Sequence, residues 1–189
     1  MEFKIHRTKE TELIEGCRRH DQHAQRNVYE KYSGKMMALC CRYIKDRMNA
    51  EDVLVKSFMK VFEHINQFKG EGSFEGWMRR IVVNESLSYL RKNKSMYLET
   101  DIEAADYQPN YESLGGQLEA DDLMNLINEL PTGYRIVFNL YAIDGYSHKE
   151  IADELGISEN TSKSQLSRAR AQLQRQLIAL EDKELQQSK

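Results

Sequence analysis

The stretch from Tyr146 to Leu173 reads YSHKEIADELGISENTSKSQLSRARAQL, and its spacing predicts two helices joined by a tight turn. Ser147 and Glu150 form a capping box, in which the hydroxyl and the carboxylate satisfy backbone N–H groups at the start of a helix. Gly156 stands where a left-handed residue would end that helix, and Ser158 is a suitable N-cap for a second one. This pattern limits the segment to a short two-helix hairpin.

The second helix of the pair has an apolar side, formed by Leu166, Ala169 and Leu173, and a polar side. From position 157 to 178 the basic residues outnumber the acidic ones by four to one. Amide, hydroxyl and basic groups on one helix face are the groups that bond base edges and phosphate oxygens. We interpret the pair as a helix-turn-helix that meets duplex DNA. The polar residues are Asn160, Thr161, Lys163, Ser164, Gln165, Ser167 and Arg168.

The 189 residues, of which 40% are hydrophobic, can bury a core as one domain or as two small ones. No apolar run approaches the roughly 20 residues that cross a bilayer, and the N-terminus lacks an apolar signal core. We therefore expect a cytoplasmic protein without membrane insertion. Cys17, Cys40 and Cys41 lack zinc-binding spacing, and no phosphate loop or catalytic ordering is visible. The sequence predicts no metal, no cofactor, no disulfide framework and no enzymatic activity.

The net charge of −3 hides an uneven distribution of charge along the chain. Nine acidic residues and no basic ones lie between Lys94 and Arg135, whereas five bases face one acid between Trp77 and Lys94. Pro109 and two glycines interrupt the acidic part, which shows no sustained period and is read as a linker. We predict an all-helical fold of two small domains, 10–95 and 118–182, joined by an acidic flexible linker at 96–117.

The first domain is predicted to begin with helix from about Thr11 to Ile44, with a break near Ser33-Gly34. Asn49 is the expected N-cap of the next helix, which starts at Ala50. The charges on the outer side of that helix are most simply a solvated face. These outward residues are Asp52, Lys56, Ser57, Lys60 and Glu63.

A glycine-containing loop from Lys69 to Phe74 follows, with aromatic residues at both ends, and then a basic helix from about Glu75. A basic helix beside such a loop suits single-stranded nucleic acid, because phosphates need positive charge and unstacked bases need pockets or stacking surfaces. Trp77 is either such a surface or a core anchor, and its size favours the core. In the second domain Ile136, Val137, Leu140 and Tyr141 form the buried stripe of the helix that leads into the hairpin.

Taken together, these blocks resemble the bacterial RNA polymerase sigma factors of the extracytoplasmic-function (ECF) group. The run AEDVLVKSFMKVFEHINQFKGEGSFEGWMRRIVVNESLSYLRK, at 50–92, is similar to the family's polymerase-binding and promoter-melting region. The run LINELPTGYRIVFNLYAIDGYSHKEIADELGISENTSKSQLSRARAQL, at 126–173, is similar to its upstream-promoter reader. The resemblance implies a transcription initiation factor that binds core RNA polymerase and promoter DNA, has an anti-sigma partner, and is monomeric when free.

The resemblance also implies roles for individual residues. Asp52, Val55 and Lys56 would contact the polymerase. The melted promoter element would be bound by Lys69, Ser73, Phe74, Arg80, Asn84 and Ser88. The upstream element would be read as duplex by Thr161, Lys163, Ser164, Gln165, Ser167 and Arg168.

The chain departs from the family pattern at three places. Val55-Lys56 stands where relatives commonly have Gln-Glu, Ser162 replaces an apolar core residue, and Gln165 replaces an Arg that seeks a base or phosphate. The alternative hypothesis is a stand-alone DNA-binding regulator that uses only the helix-turn-helix. Such a regulator would bind duplex DNA without polymerase, normally as a dimer on a palindrome.

Overall fold

The computed structural model describes residues 2–93 and 120–187, with side chains from 9 to 93 and from 122 to 180. The chain divides into two compact units, Met1–Leu90 and Arg91–Lys189. Every regular element in the described ranges is helical, which confirms the predicted all-helical fold. The predicted linker at 96–117 lies outside the described residues, and the domain limits of 10–95 and 118–182 stay predictions.

The first unit consists of four helices, namely α1 (Glu2–Arg18), α2 (Gln22–Tyr43), α3 (Arg47–Glu63) and α4 (Phe74–Lys92), with a short 3-10 turn at Ile65–Gln67. Their apolar faces meet in one core, since apolar residues recur every three or four positions on each helix. Its most buried large side chains are Met36, Leu39, Tyr43, Ile65, Phe74, Met78 and Leu87.

The predicted break near Ser33-Gly34 is wrong, because α2 runs through both residues. The break lies earlier, where His20 adopts a left-handed conformation with φ of 58°. Asp21 then caps α2 by accepting a hydrogen bond of 2.8 Å from the N–H of His23. Gly34 lies on the exposed side of a helix whose other side is buried. Burial of that side offsets the roughly 1 kcal/mol that a glycine costs in a helix.

The start of α3 also differs from the prediction, since its N-cap is Asp46 and not Asn49. The Asp46 carboxylate accepts a 2.8 Å bond from the N–H of Asn49, so the helix begins three residues earlier than expected. Ser57, predicted to point outward, is fully buried. Its hydroxyl donates to the carbonyl of Val53 at 2.7 Å, which satisfies the one polar group that burial would otherwise leave unbonded.

The second unit consists of α5 (Ala120–Glu129), α6 (Thr132–Phe138), α7 (His148–Leu155) and α8 (Glu159–Gln187). A wider π-helical turn, Asn139–Ile143, follows α6 directly. The buried residues of α5 pack against those of the middle of α8. This core contains Leu126, Ile127, Leu130, Ala169, Leu173 and Leu177.

Of the stripe predicted for α6, Ile136, Val137 and Leu140 are fully buried, but Tyr141 is 37% exposed. The π-helical turn explains this difference, because its extra residue changes the phase of the helix. Tyr141 is thereby moved from the buried side of the stripe to the surface, close to the start of α7.

Candidate nucleic-acid interfaces

The hairpin of α7 and α8 has the predicted local geometry. The Ser147 N–H donates to the Glu150 carboxylate at 2.8 Å, and the Glu150 N–H donates to the Ser147 hydroxyl at 3.2 Å. Gly156 ends α7 with φ of 66°, a conformation that a residue with a side chain adopts at a cost. Ser158 caps α8 by accepting a 3.0 Å bond from the N–H of Thr161. The predicted capping box and both turn residues are therefore confirmed.

Six residues of α8 are candidates for reading the duplex and are named here the α8 face. They differ in how much of each side chain is exposed to solvent. Lys163, Ser164 and Ser167 are exposed, whereas Thr161, Gln165 and Arg168 are half-buried. Several of them also have contacts within the unit, and the Ser164 hydroxyl donates to the Thr161 carbonyl at 3.0 Å. The Thr161 hydroxyl lies 2.9 Å from that of Ser158, and the Gln165 amide lies against Gly133, where an added Cβ would be 3.5 Å from its Nε2.

Lys163 belongs to an ion pair on the α8 face, because its Nζ lies 3.8 Å from the carboxylate of Glu159 one turn earlier. Both side chains are about half exposed, at 56% and 50%. Such exposed pairs contribute little to stability. A phosphate oxygen can therefore replace Glu159 as the partner of Lys163 at small cost.

Ser162, which lies on the opposite side of α8, has no exposed surface. Its hydroxyl lies 2.9 Å from Nδ1 of His148, the first residue of α7. The two helices of the hairpin are thus joined by a polar pair at a position where an apolar contact was expected. Sequence reasoning missed His148, since the pair spans 14 positions and no local pattern links the two residues.

The His148 ring also stacks on Tyr141, with centroids 4.5 Å apart and an interplanar angle of 22°. The guanidinium of Arg170 lies 5.8 Å from the centroid of Tyr141, within the range of a cation–π contact. Burial lowers the pKa of His148, and the nearby charges of Lys163 and Arg170 lower it further against the opposing effect of Glu159. His148 is therefore kept neutral to a lower pH than a free histidine.

In the first unit the loop of residues 69–73, named here the glycine loop, connects the 3-10 turn to α4. Gly70 and Gly72 have φ of 77° and 88°, values that glycine adopts without strain. Lys69 and Ser73 are exposed. The Ser73 hydroxyl accepts a 3.2 Å bond from the N–H of Gly76 and so caps α4.

The aromatic residues at the ends of this loop are not on the surface. Phe68 is 6% exposed and Phe74 is 1% exposed, and their centroids are 5.2 Å apart. Trp77 is half-buried and stacks on Phe74 at 5.8 Å with an angle of 18°. Phe74, one of the residues predicted to bind the melted element, thus has its ring in the core beneath the loop.

The other candidate residues for a single strand, Arg80, Asn84 and Ser88, are spaced four positions apart on α4. They are named here the α4 row. Arg80 and Asn84 are exposed and Ser88 is half-buried. At 1.5 Å per residue the row extends over about 12 Å. It starts on the second turn of α4, the helix that follows the glycine loop in the chain.

On α3 the residues Asp52, Val55 and Lys56 are all exposed. They are flanked by two methionines that are 78% and 66% exposed, Met48 and Met59. Residues spaced by four, three and four positions share one side of a helix, so Met48, Asp52, Val55 and Met59 form one surface, named here the α3 stripe. Sequence reasoning missed Met48 because the helix was expected to begin after it.

Two family models match this chain, one to each unit. The model for sigma-70 region 2 matches residues 28–96 and the model for sigma-70 region 4 matches residues 120–173. Similar full-length proteins are sigma factors as well. The chain is 29% identical over 171 residues to the ECF RNA polymerase sigma-E factor of Salmonella typhimurium strain LT2, which covers 84% of this chain and 88% of the relative. The chain belongs to the ECF-type sigma factors.

Other relatives of this sigma factor give the same picture. The sigma-E factor of Haemophilus influenzae is 28% identical over 181 residues, covering 89% of this chain and 95% of the relative. The RNA polymerase sigma-H factor of Pseudomonas aeruginosa is 25% identical over 185 residues, with 91% and 95% covered. The sigma factor RpoE of Bartonella quintana, solved in complex with the anti-sigma factor NepR, has a similar fold. Its TM-score is 0.51 at 24% identity, with 81% of this chain and 96% of that chain covered.

The three departures of this sigma factor from the family pattern each have identifiable surroundings in the structure. Ser162 is accommodated in the hairpin core by its bond to His148. Gln165 lies against Gly133 of α6, and Val55 adds apolar surface between two exposed methionines. Within residues 2–93 and 120–187, no helix combines the length and the apolar character needed to cross a membrane.

Proposed function

We propose that this ECF-type sigma factor directs core RNA polymerase to a promoter that it reads at two places. The upstream element is read as duplex by the second unit, and the downstream element is read as melted single strand by the first unit. The observation that carries the proposal is that each unit has its own exposed polar surface, the α8 face in one and the α4 row with the glycine loop in the other.

The α8 face supports duplex reading because a helix with short polar side chains fits the major groove. Lys163 and Arg168 supply charge for phosphates and guanine, and Ser164 and Ser167 supply hydroxyls to either bases or phosphates. We assign direct base contacts first to Lys163, Ser164, Ser167 and Arg168. Thr161 and Gln165 come second, because they are half-buried and their side chains already contact Ser158 and α6. Lys163 and Ser164 also have contacts within α8, but both side chains are exposed.

The α4 row supports capture of a melted strand because its charges and amide follow one line beside a loop of unusual backbone geometry. Arg80 and Lys69 suit phosphates, whereas Asn84 and Ser88 suit base edges that are exposed only in a single strand. Ser73 and Phe74 contribute indirectly in this proposal. Ser73 caps α4, and Phe74 supports the loop from beneath.

The α3 stripe is the surface that we assign to the polymerase. Exposed methionines are typical of adaptable binding surfaces, and the stripe carries three exposed apolar side chains, Met48, Val55 and Met59. Asp52 and Lys56 provide opposite charges beside the apolar residues and would fix the register of a partner. The family membership and the anti-sigma complex named for the Bartonella relative support an anti-sigma partner too. We propose that the free protein is monomeric and acts in the cytoplasm with the polymerase.

Reconstitution with core RNA polymerase tests the proposal. On genomic promoter templates the complex should produce start-site-specific transcripts that neither component gives alone. A protein that binds duplex DNA tightly by itself, as a dimer on a palindrome, and gives no such transcripts would instead be a stand-alone regulator.

The α3 stripe has its own test, in which Val55→Asp should weaken binding to core polymerase about tenfold or more, since a charge is placed in an apolar contact. Ala38→Asp also introduces a carboxylate at an exposed apolar position, on α2, and should leave affinity within about twofold. Equal affinities for the two variants would remove the stripe from the polymerase interface.

A further inference from the structure

Glu85 is the one acidic residue in the basic part of α4. From Trp77 to Lys94 it stands against five bases, and its side chain is 16% exposed. It lies next to Asn84 and three positions before Ser88, both members of the α4 row. Side chains three positions apart on a helix are neighbours, with about 5–6 Å between their Cβ atoms. A negative charge is therefore located at the edge of the surface that is proposed to bind the phosphates of a melted strand.

The bases of α4 are at the wrong spacing to pair with Glu85. Ion pairs along one helix join side chains three or four positions apart. The four residues at that spacing from Glu85 carry no charge, namely Ile81, Val82, Ser88 and Tyr89. The partner comes from α3 instead, because the Nζ of Lys60 lies 2.5 Å from the Oε1 of Glu85. This ion pair joins two helices across 25 positions of the chain.

Lys60 lies between two surfaces of the first unit. It directly follows Met59 of the α3 stripe, and its ammonium contacts α4. Its side chain is 48% exposed, compared with 16% for Glu85. Salt screens a partly buried charge much less than an exposed one. An unpaired Glu85 would therefore act on a nearby phosphate more strongly than an unpaired Lys60.

We propose that Lys60 is a positioning residue for the melted strand, which pairs with Glu85 and thereby removes the repulsion between this carboxylate and the phosphates. Lys60 acts through Glu85 and makes no contact with the strand itself. The inference rests on the proposed capture of a melted strand by the α4 row, and it adds a residue of α3 to that site. The helix assigned to the polymerase thus also contributes to the charge of the strand-binding surface.

A double-mutant cycle in the holoenzyme, core polymerase with this protein, tests the inference. The assay measures binding of a fluorescent promoter whose downstream element is pre-melted by mismatches. Lys60→Gln leaves Glu85 unpaired and should weaken binding at least about threefold, since it adds one net negative charge close to the phosphates. Glu85→Gln removes the carboxylate and should bind at least as tightly as the wild type. In that background Lys60→Gln should change the affinity by less than about twofold, because the charge on which Lys60 acts is already gone.

Two matched variants separate charge from packing. Lys60→Arg keeps the positive charge and should stay within about twofold of the wild-type affinity. Lys9→Gln removes the same charge from an exposed lysine of α1 and should also stay within about twofold, which excludes an effect of net charge alone.

The salt dependence gives a readout that a purely structural role would not change. The cost of Lys60→Gln should decrease as salt is raised, because screening weakens the repulsion between Glu85 and the phosphates. A change in the packing of α4 would give a cost that salt leaves in place. The melting temperature and the affinity for core polymerase check that each variant is folded and forms holoenzyme.

The outcomes separate this inference from the proposed function. If the wild-type holoenzyme binds the pre-melted element no better than a closed duplex, the proposed capture of the strand fails and this inference fails with it. If it binds the pre-melted element but Lys60→Gln binds equally well, only the role of Lys60 is overturned. A cost of Lys60→Gln that remains in the Glu85→Gln background would place Lys60 on the strand and overturn the inference equally.

Discussion

His148→Ala should destabilise the second unit by about 2 kcal/mol. The change leaves the Ser162 hydroxyl, which has no exposed surface, without its partner at 2.9 Å. A buried polar group that loses its hydrogen bond costs about 1–3 kcal/mol. The stack on Tyr141 adds about 0.5–1.5 kcal/mol, at the lower end because Tyr141 is exposed. Part of the lost stability can be recovered, since the hydroxyl of a serine in a helix can donate to the carbonyl four residues earlier.

The single tryptophan makes this change measurable by unit. Trp77 lies in the first unit, so its fluorescence reports unfolding there, whereas circular dichroism reports helix loss in both units. In a domain of this size 1 kcal/mol corresponds to about 4–8 °C in melting temperature. His148→Ala should therefore lower one helical transition by roughly 10 °C and leave the fluorescence transition in place.

Two further variants complete the experiment. Ser162→Ala in the His148→Ala background should cost at least about 1 kcal/mol less than it does alone, because the contact it removes is already gone. Lys149→Ala, on the exposed residue next to His148, should change stability by less than about 0.5 kcal/mol. The reasoning is refuted if His148→Ala is as stable as Lys149→Ala, or if the Trp77 transition shifts as much as the helical one.

Three other predictions concern His148, Trp77 and Arg168. The pKa of His148 is lowered on folding, so the unfolded chain binds more protons than the folded one. The second unit should therefore lose stability as pH falls below about 6.5, the pKa of a free histidine. Thermal melts at several pH values should show this loss in the wild type and a smaller loss in His148→Ala. Trp77→Ala should destabilise the first unit by about 2–3 kcal/mol, which is less than the loss expected for a fully buried tryptophan. Unfolding followed by circular dichroism would measure the change, and an unchanged stability would contradict the packing of Trp77 against Phe74. Arg168→Ala should weaken binding of the upstream duplex about tenfold and leave binding of the pre-melted downstream strand unchanged; equal upstream affinity would remove Arg168 from the α8 face.

The hairpin of the second unit was predictable because its signals act over short distances. Ser147 and Glu150 are three positions apart, and Gly156 and Ser158 specify their own turn. Each of these residues acts on backbone groups within a few positions, so no knowledge of the rest of the fold is needed. The prediction of α4 also depends on a local signal, because its apolar residues recur at the helical period.

The wrong predictions concern competition between local and tertiary effects. Gly34 suggests a break, but the buried side of α2 continues through it. Both Asp46 and Asn49 are good caps, and the helix begins after Asp46, whose carboxylate accepts from the N–H of Asn49. Phe74 belongs to a loop by composition and to the core by its contacts with Phe68 and Tyr32. For α2 and for Phe74, burial decides between two acceptable local structures, and burial can be inferred from the sequence only indirectly.

The candidate site residues divide in the same way. Exposed positions on a regular helix, such as Asn84, follow from the period of that helix. The partners that hold these surfaces in place cannot be predicted from the helix period, because they join distant parts of the chain. Arg18 bonds a carbonyl 50 positions away, and His148 bonds a hydroxyl 14 positions away. Neither partnership has a spacing that a sequence pattern would single out.

The polar pair between α7 and α8 acts mainly on orientation. An apolar contact tolerates sliding, whereas a hydrogen bond fixes both a distance and a direction. Ser162 lies six residues before Arg168, about 9 Å along the helix axis. A 10° change in the angle between the helices at Ser162 would therefore move Arg168 by roughly 1.5 Å, more than a base contact tolerates. The departure at Ser162, which costs an apolar contact, is thus located where it controls the direction of the whole α8 face.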